Sequence, residues 1–165
     1  MFDINSEIIK TLRATPPVLN QLTAHLNPAQ ASWRPHPDMW AIVEIVAHMA
    51  DVDERALSRV HRILHEQHPV LPAFDQEALA RERRYLEMDL PTQLRRYEAS
   101  RRSHIELLLS LDPGDWTRTG HHEVHGDTTL TLYESHVAAE DVDHLAQISA
   151  VLAELPSDRS RTNAW

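Results

Sequence analysis

Between Tyr133 and Leu155 the apolar residues Tyr133, Val137, Ile148, Val151 and Leu155 recur at helical spacing, and Glu140 and His144 complete the same seam one turn apart. A helix with such a face must bury it against other helices. An acid and a histidine in the middle of the seam add a second demand. Polar groups on a buried face have to be satisfied by each other, by a partner or by a metal.

The remainder of the chain supplies the partner helices. Residues 5–25 carry Ile8, Ile9, Leu12, Leu19 and Leu22 at spacings of three and four. Pro16-Pro17 falls inside this run and predicts a kink or a break, with two half-helices in line as one solution. Asn27-Pro28 opens a short helical turn to Ala31, and Trp33 to Asp38 reads as an ordered loop whose Trp33 caps the core. A second helix is expected over residues 39–66, with Asp38 as N-cap and Ile42, Ile45, Val46, Met49, Ala56, Val60 and Ile63 on its apolar face. Glu44, His48, Asp51 and Arg55 form a polar stripe beside that face. A short charged helix is expected over 75–87. Another begins at Asp89-Leu90-Pro91 and stops near Leu111-Asp112-Pro113-Gly114. Residues 116–129 are the least helical part, a polar loop or short hairpin holding His121, His122, Glu123 and His125. Thr131-Leu132-Tyr133-Glu134 has the form of a capping box for the last helix, which ends before Pro156. The expected architecture is all-α: a four-helix bundle with a kinked first helix and a short extra helix. It forms one domain over residues 1–156, followed by a polar tail over 157–165.

Composition narrows the chemistry. With 165 residues there is enough chain for one real core. No cysteine is present, so neither disulfides nor thiolate metal sites can form. Three glycines disfavour Gly-rich phosphate loops and turn-dense β folds. A net charge of -9 has the wrong sign for nucleic-acid binding. The N-terminus lacks the basic and apolar regions of a signal peptide, and no apolar run is long enough to span a bilayer. A cytoplasmic protein acting on a small molecule, without nucleic-acid or membrane partners, is the expectation. The 12 histidines mean that only placement can single one out.

On the last helix, His136, Glu140 and His144 share a face. His136 and His144 stand roughly 12 Å apart along the axis, too far to share one ion. Glu140 and His144, on the seam itself, are the better pair, and His48 on the second helix is the best external candidate. Two histidines and a carboxylate suit a divalent metal with open positions. A hydrogen-bonded Glu140–His144 pair without metal satisfies the spacing equally well.

Two stretches are similar to a known family. The first is WRPHPDMWAIVEIVAHMADVDE, with Trp33-Arg34-Pro35, Trp40, Glu44, His48, Asp51 and Asp53. The second is Gly126, then Thr129-Leu130, then HVAAEDVDHLAQI. Together they resemble the DinB/YfiT-like superfamily of bacterial four-helix bundles across nearly the whole chain. The resemblance implies a compact bundle, often a homodimer, with a divalent metal such as Zn²⁺ or Ni²⁺ in a pocket at one end. It implies a metal held by a histidine of the second helix, matching His48, and by an H-x-x-x-H on the last helix, falling on positions 140 and 144. His144 matches; Glu140 departs from the pattern. The activities implied are metal-dependent hydrolysis or transfer of a low-molecular-weight thiol. Glu44 or Asp51 could orient the His48 imidazole. The alternatives are a non-catalytic stress or small-molecule-binding bundle whose metal site has degenerated at Glu140, and a purely structural dimer.

Overall fold

The computed structural model describes residues 3–156. It contains α1 (Ile4–Thr23), α2 (Pro28–Ala31), α3 (Ile42–His65), α4 (Gln76–Glu82), α5 (Leu90–Leu109) and α6 (Leu130–Glu154). Three short strands, β1 (Val70–Leu71), β2 (Thr119–His122) and β3 (Gly126–Thr129), form a sheet in the order β1-β2-β3. The expected four-helix bundle is present, made by α1, α3, α5 and α6. No described helix is long and apolar enough to cross a membrane.

Two apolar clusters set the helix directions. One contains Leu19, Ile42, Ile45, Val46, Met49, Leu90, Ile148 and Val151; the other contains Ile8, Leu12, Val60, Ile63, Leu108, Leu130, Tyr133 and Val137. Helices α3 and α5 run from the first cluster to the second, whereas α1 and α6 run the other way. Thus α3 and α5 are parallel neighbours, and residues 66–89 form the crossover that this requires. It holds β1, α4 and a 3-10 turn at Tyr85–Glu87.

Between the clusters lies a buried polar layer. Arg101, 1% exposed, donates to Asp53 Oδ1 at 2.7 Å, to both carboxylate oxygens of Asp141, and to the Leu12 carbonyl at 3.1 Å. The Leu12 carbonyl is the acceptor that Pro16, having no N–H, leaves unused. An arginine from α5 thus fills the gap in α1, which continues through both prolines as one helix and not as two halves. Thr15 donates to Asp141 Oδ2 at 2.8 Å and Tyr97 donates to Asp141 at 3.2 Å. His104 closes the layer between Asp53 and Glu134.

Several element boundaries differ from expectation. Helix α3 starts at Ile42, and its N-cap is Ala41, not Asp38; the Glu44 side chain reaches back to accept from the Ala41 N–H at 2.8 Å. Helix α6 is capped by Thr129, whose hydroxyl accepts from the Leu132 N–H, so Thr131-Leu132-Tyr133-Glu134 is not the capping box. Glu134 is fully buried against His104 instead. The polar segment 116–129 contains a true hairpin, with Gly126 at φ 75° opening β3. Gly120 lets β2 approach β1 closely: a Cβ there would lie 3.2 Å from the Pro69 carbonyl. The tail over 157–165 lies outside the described residues.

Candidate metal centre and its cavity

Helices α3 and α6 are antiparallel neighbours. At one end of their contact the His48 and His144 rings meet edge to face with centroids 4.9 Å apart; at the other, Arg59 donates to the Tyr133 hydroxyl at 3.4 Å. Between these ends runs a cavity of about 220 Å³. Its walls include His48, Arg55 and Arg59 from α3, Tyr133, His136 and Glu140 from α6, His122 and His125 from the hairpin, and Phe74 from the crossover.

The rotation of α6 that exposes Glu140 follows from its neighbour. Asp141 is drawn into the core by Arg101, Thr15 and Tyr97. One residue is about 100° of helix, so Glu140 is turned out of the core toward the groove facing α3. The expected seam is therefore buried at Tyr133, Val137, Ile148 and Val151, while Glu140 is exposed and His144 half-buried. The acid buried in the middle of this helix is Asp141. This removes the reading of a buried, self-satisfied Glu140–His144 pair: His144 Nδ1 instead faces Gln147 Oε1 at 3.1 Å.

His48 is 3% exposed and its Nδ1 is buried without a hydrogen-bond partner. Trp40 packs edge-on against it with centroids 5.1 Å apart. Burial, followed by the neighbouring His144, lowers its pKa to about 4, so the imidazole is neutral and keeps a lone pair at physiological pH. The expectation that Glu44 or Asp51 orients His48 does not hold. Glu44 is engaged by Arg34 and the Ala41 N–H, and Asp51 by Arg83, Arg96 and the Tyr85 hydroxyl. A buried imidazole nitrogen with no partner, beside a second histidine, is what a metal ligand leaves behind when only the protein is considered. The donor set fits a divalent ion of the Zn²⁺ or Ni²⁺ type. Glu140 shares the cavity with His48, yet the ligand atoms of His48, Glu140 and His144 do not all lie within 4.8 Å of one another. Glu140, exposed on the helix surface, is free to change rotamer.

A separate group does meet that distance among the described residues. His68, His121 and Asp127 are all exposed, with His121 Nδ1 2.7 Å and His68 Nε2 3.2 Å from Asp127 Oδ1. The hairpin thus supplies the framework that segment 121–127 lacked in the sequence. His122 and His125 stack at 4.7 Å and face His136 across the cavity, His125 and His136 centroids being 5.6 Å apart. Of these cavity residues, His122, His125, His136 and Arg55 stood out in the sequence with nothing to place them together, and Arg59 did not stand out. For Arg59 the signal was its spacing on α3 after His48, Val52 and Arg55.

Comparison with known proteins agrees with this fold. A curated protein of Oceanobacillus iheyensis, named "putative metal-dependent hydrolase", is 25% identical over 148 residues, covering 90% of this chain and 86% of its own length. The solved structure of YfiT from Bacillus subtilis, described as "a probable metal-dependent hydrolase with an unusual four-helix bundle topology", superposes with a TM-score of 0.84. It shares 19% identity and is covered over 86% of its length by 90% of this chain, a likeness that establishes the fold. The model of the DinB superfamily matches residues 11–148. The chain belongs to the DinB superfamily.

Proposed function

We propose that this protein is a metal-dependent hydrolase whose divalent ion is held by His48, Glu140 and His144 at the end of the cavity between α3 and α6. The observation that carries this reading is His48: buried, neutral, without a partner for Nδ1, and in ring contact with His144. A divalent ion there would lower the pKa of a bound water and polarise the oxygen of an ester, amide or phosphoryl group. The protein's own contribution is positional. Trp40 and the surrounding helix hold His48, Gln147 holds His144, and the hairpin and Phe74 narrow the access of bulk water. Transfer of a low-molecular-weight thiol uses the same site. Since the chain has no cysteine, that thiol has to arrive as a ligand.

The test is a panel of aryl esters, amides and phosphate esters, assayed with chelator-treated protein before and after Zn²⁺ or Ni²⁺ is added, in parallel with thiol conjugation to an electrophile. Hydrolysis restored by metal and lost in His48→Ala and His144→Ala supports the hydrolase. Metal-dependent conjugation without hydrolysis transfers the assignment to the thiol reaction. Metal binding with neither activity leaves the non-catalytic bundle.

A further inference from the structure

Arg55 and Arg59 face the cavity from successive turns of α3, and neither forms an ion pair with a carboxylate among the described residues. Other described arginines, such as Arg13 and Arg102, also lack an acidic partner; what sets Arg55 and Arg59 apart is that both line the cavity, whereas the buried Arg101 is paired with Asp53 and Asp141. Arg59 is 8% exposed and anchored by the Pro72 carbonyl and the Tyr133 hydroxyl. The guanidinium of Arg55 lies 4.0 Å over the Phe74 ring, which fixes its plane, and its Nε is buried without a hydrogen-bond partner. Two guanidinium groups side by side, one with an unused buried donor, call for an anion between them. The charged and titratable groups around them are Asp51, Arg83 and Glu140, with His122, His125 and His136 across the cavity. Asp51 is already engaged by two other arginines and a tyrosine. Glu140 lies toward the His48 end, four residues from His144.

We propose that Arg55 and Arg59 form an anion subsite, so that the substrate carries a carboxylate or phosphate group at the opposite end of the cavity from the bond that is broken. His48 and Arg55 are seven residues apart, roughly 10 Å along the helix, which sets the span of such a substrate. A planar, bidentate anion suits the two forks, and the stacked histidines beside them give the linking portion a flat surface. As a statement about substrate, this rests on the hydrolase reading; as a statement about anion binding, it does not.

Inorganic phosphate and acetate titrated calorimetrically into chelator-treated protein give the direct test, because no metal then competes for the anion. At least one of the two binds saturably, and Arg55→Gln and Arg59→Gln each weaken it tenfold or more, with the helical circular dichroism retained. Arg55→Lys, which keeps the charge and loses the fork, weakens it severalfold. A phosphate preference assigns a phosphoryl group and an acetate preference a carboxylate. Absence of binding by either anion overturns the proposal, as does binding unchanged in Arg55→Gln, a half-buried position whose fold is not at risk. With substrate, an aryl ester bearing a distal carboxylate is preferred over its neutral methyl ester through KM, and Arg55→Gln abolishes that preference. If no ester is hydrolysed while anion binding holds and is lost in the variants, the hydrolase reading fails and the subsite stands.

Discussion

Stability should fall between pH 6.5 and 9 because of His104. This residue is fully buried, with Nδ1 3.0 Å from Asp53 Oδ1 and Nε2 3.2 Å from Glu134 Oε1. Only the imidazolium donates from both nitrogens, so only the charged form satisfies both carboxylates. Burial opposes that charge, but Glu134 and Asp53 outweigh it and push the pKa up to about 9 from an ordinary 6.5. The folded state therefore holds a proton that the unfolded chain releases above pH 6.5. The resulting stabilisation is complete below pH 6.5 and is lost as pH rises through 9. At 1.36 kcal/mol per unit, the full difference is about 3 kcal/mol, a large share of the roughly 5–15 kcal/mol of a typical domain. Urea unfolding of chelator-treated protein at pH 6.5, 7.5, 8.5 and 9 should show the midpoint declining steadily. His104→Gln should start lower at pH 6.5 and decline much less. A wild-type midpoint unchanged over this window, or a variant with the same slope, would refute the assignment of a buried imidazolium.

Arg101→Met leaves Asp53, Asp141 and the Leu12 carbonyl without their shared donor and should cost about 3–5 kcal/mol in urea unfolding, the usual penalty for stripping one partner from a buried ion pair. Gly120→Ala drives a Cβ to 3.2 Å from the Pro69 carbonyl and 3.3 Å from Ile63 Cγ1, so thermal unfolding should show a loss of about 1–3 kcal/mol as β1 is displaced. Glu140→His substitutes imidazole for a carboxylate at the proposed ligand position; competition against a chromophoric chelator should show tighter Zn²⁺ and Ni²⁺ binding, about tenfold or more.

The bundle was legible because α1, α3, α5 and α6 each carry an apolar face at helical spacing and end at clear stop signals such as Leu111-Asp112-Pro113-Gly114. The polar layer was not. Asp53, Arg101, His104 and Asp141 come from three helices, and nothing local marks them as partners. Helix α1 runs on through Pro16, and the carbonyl that this proline leaves free is taken by Arg101, 85 residues later. The same blindness affected the site. His48 and His144 were readable from motif and seam. The displacement of Glu140 from the core depends on Asp141 being captured by Arg101, a tertiary event. Arg55 was legible as one member of a polar stripe, but its packing against Phe74, from the crossover, was not.

Metal binding at His48, Glu140 and His144 is the central claim, and its most direct measurement is anomalous scattering at the zinc edge from crystals of the zinc-loaded protein. The account predicts one strong peak bound by His48 and His144, with the Glu140 carboxylate swung in to complete the set. A peak confined to His68, His121 and Asp127, or zinc absent from the α3–α6 cavity at full loading, would contradict it.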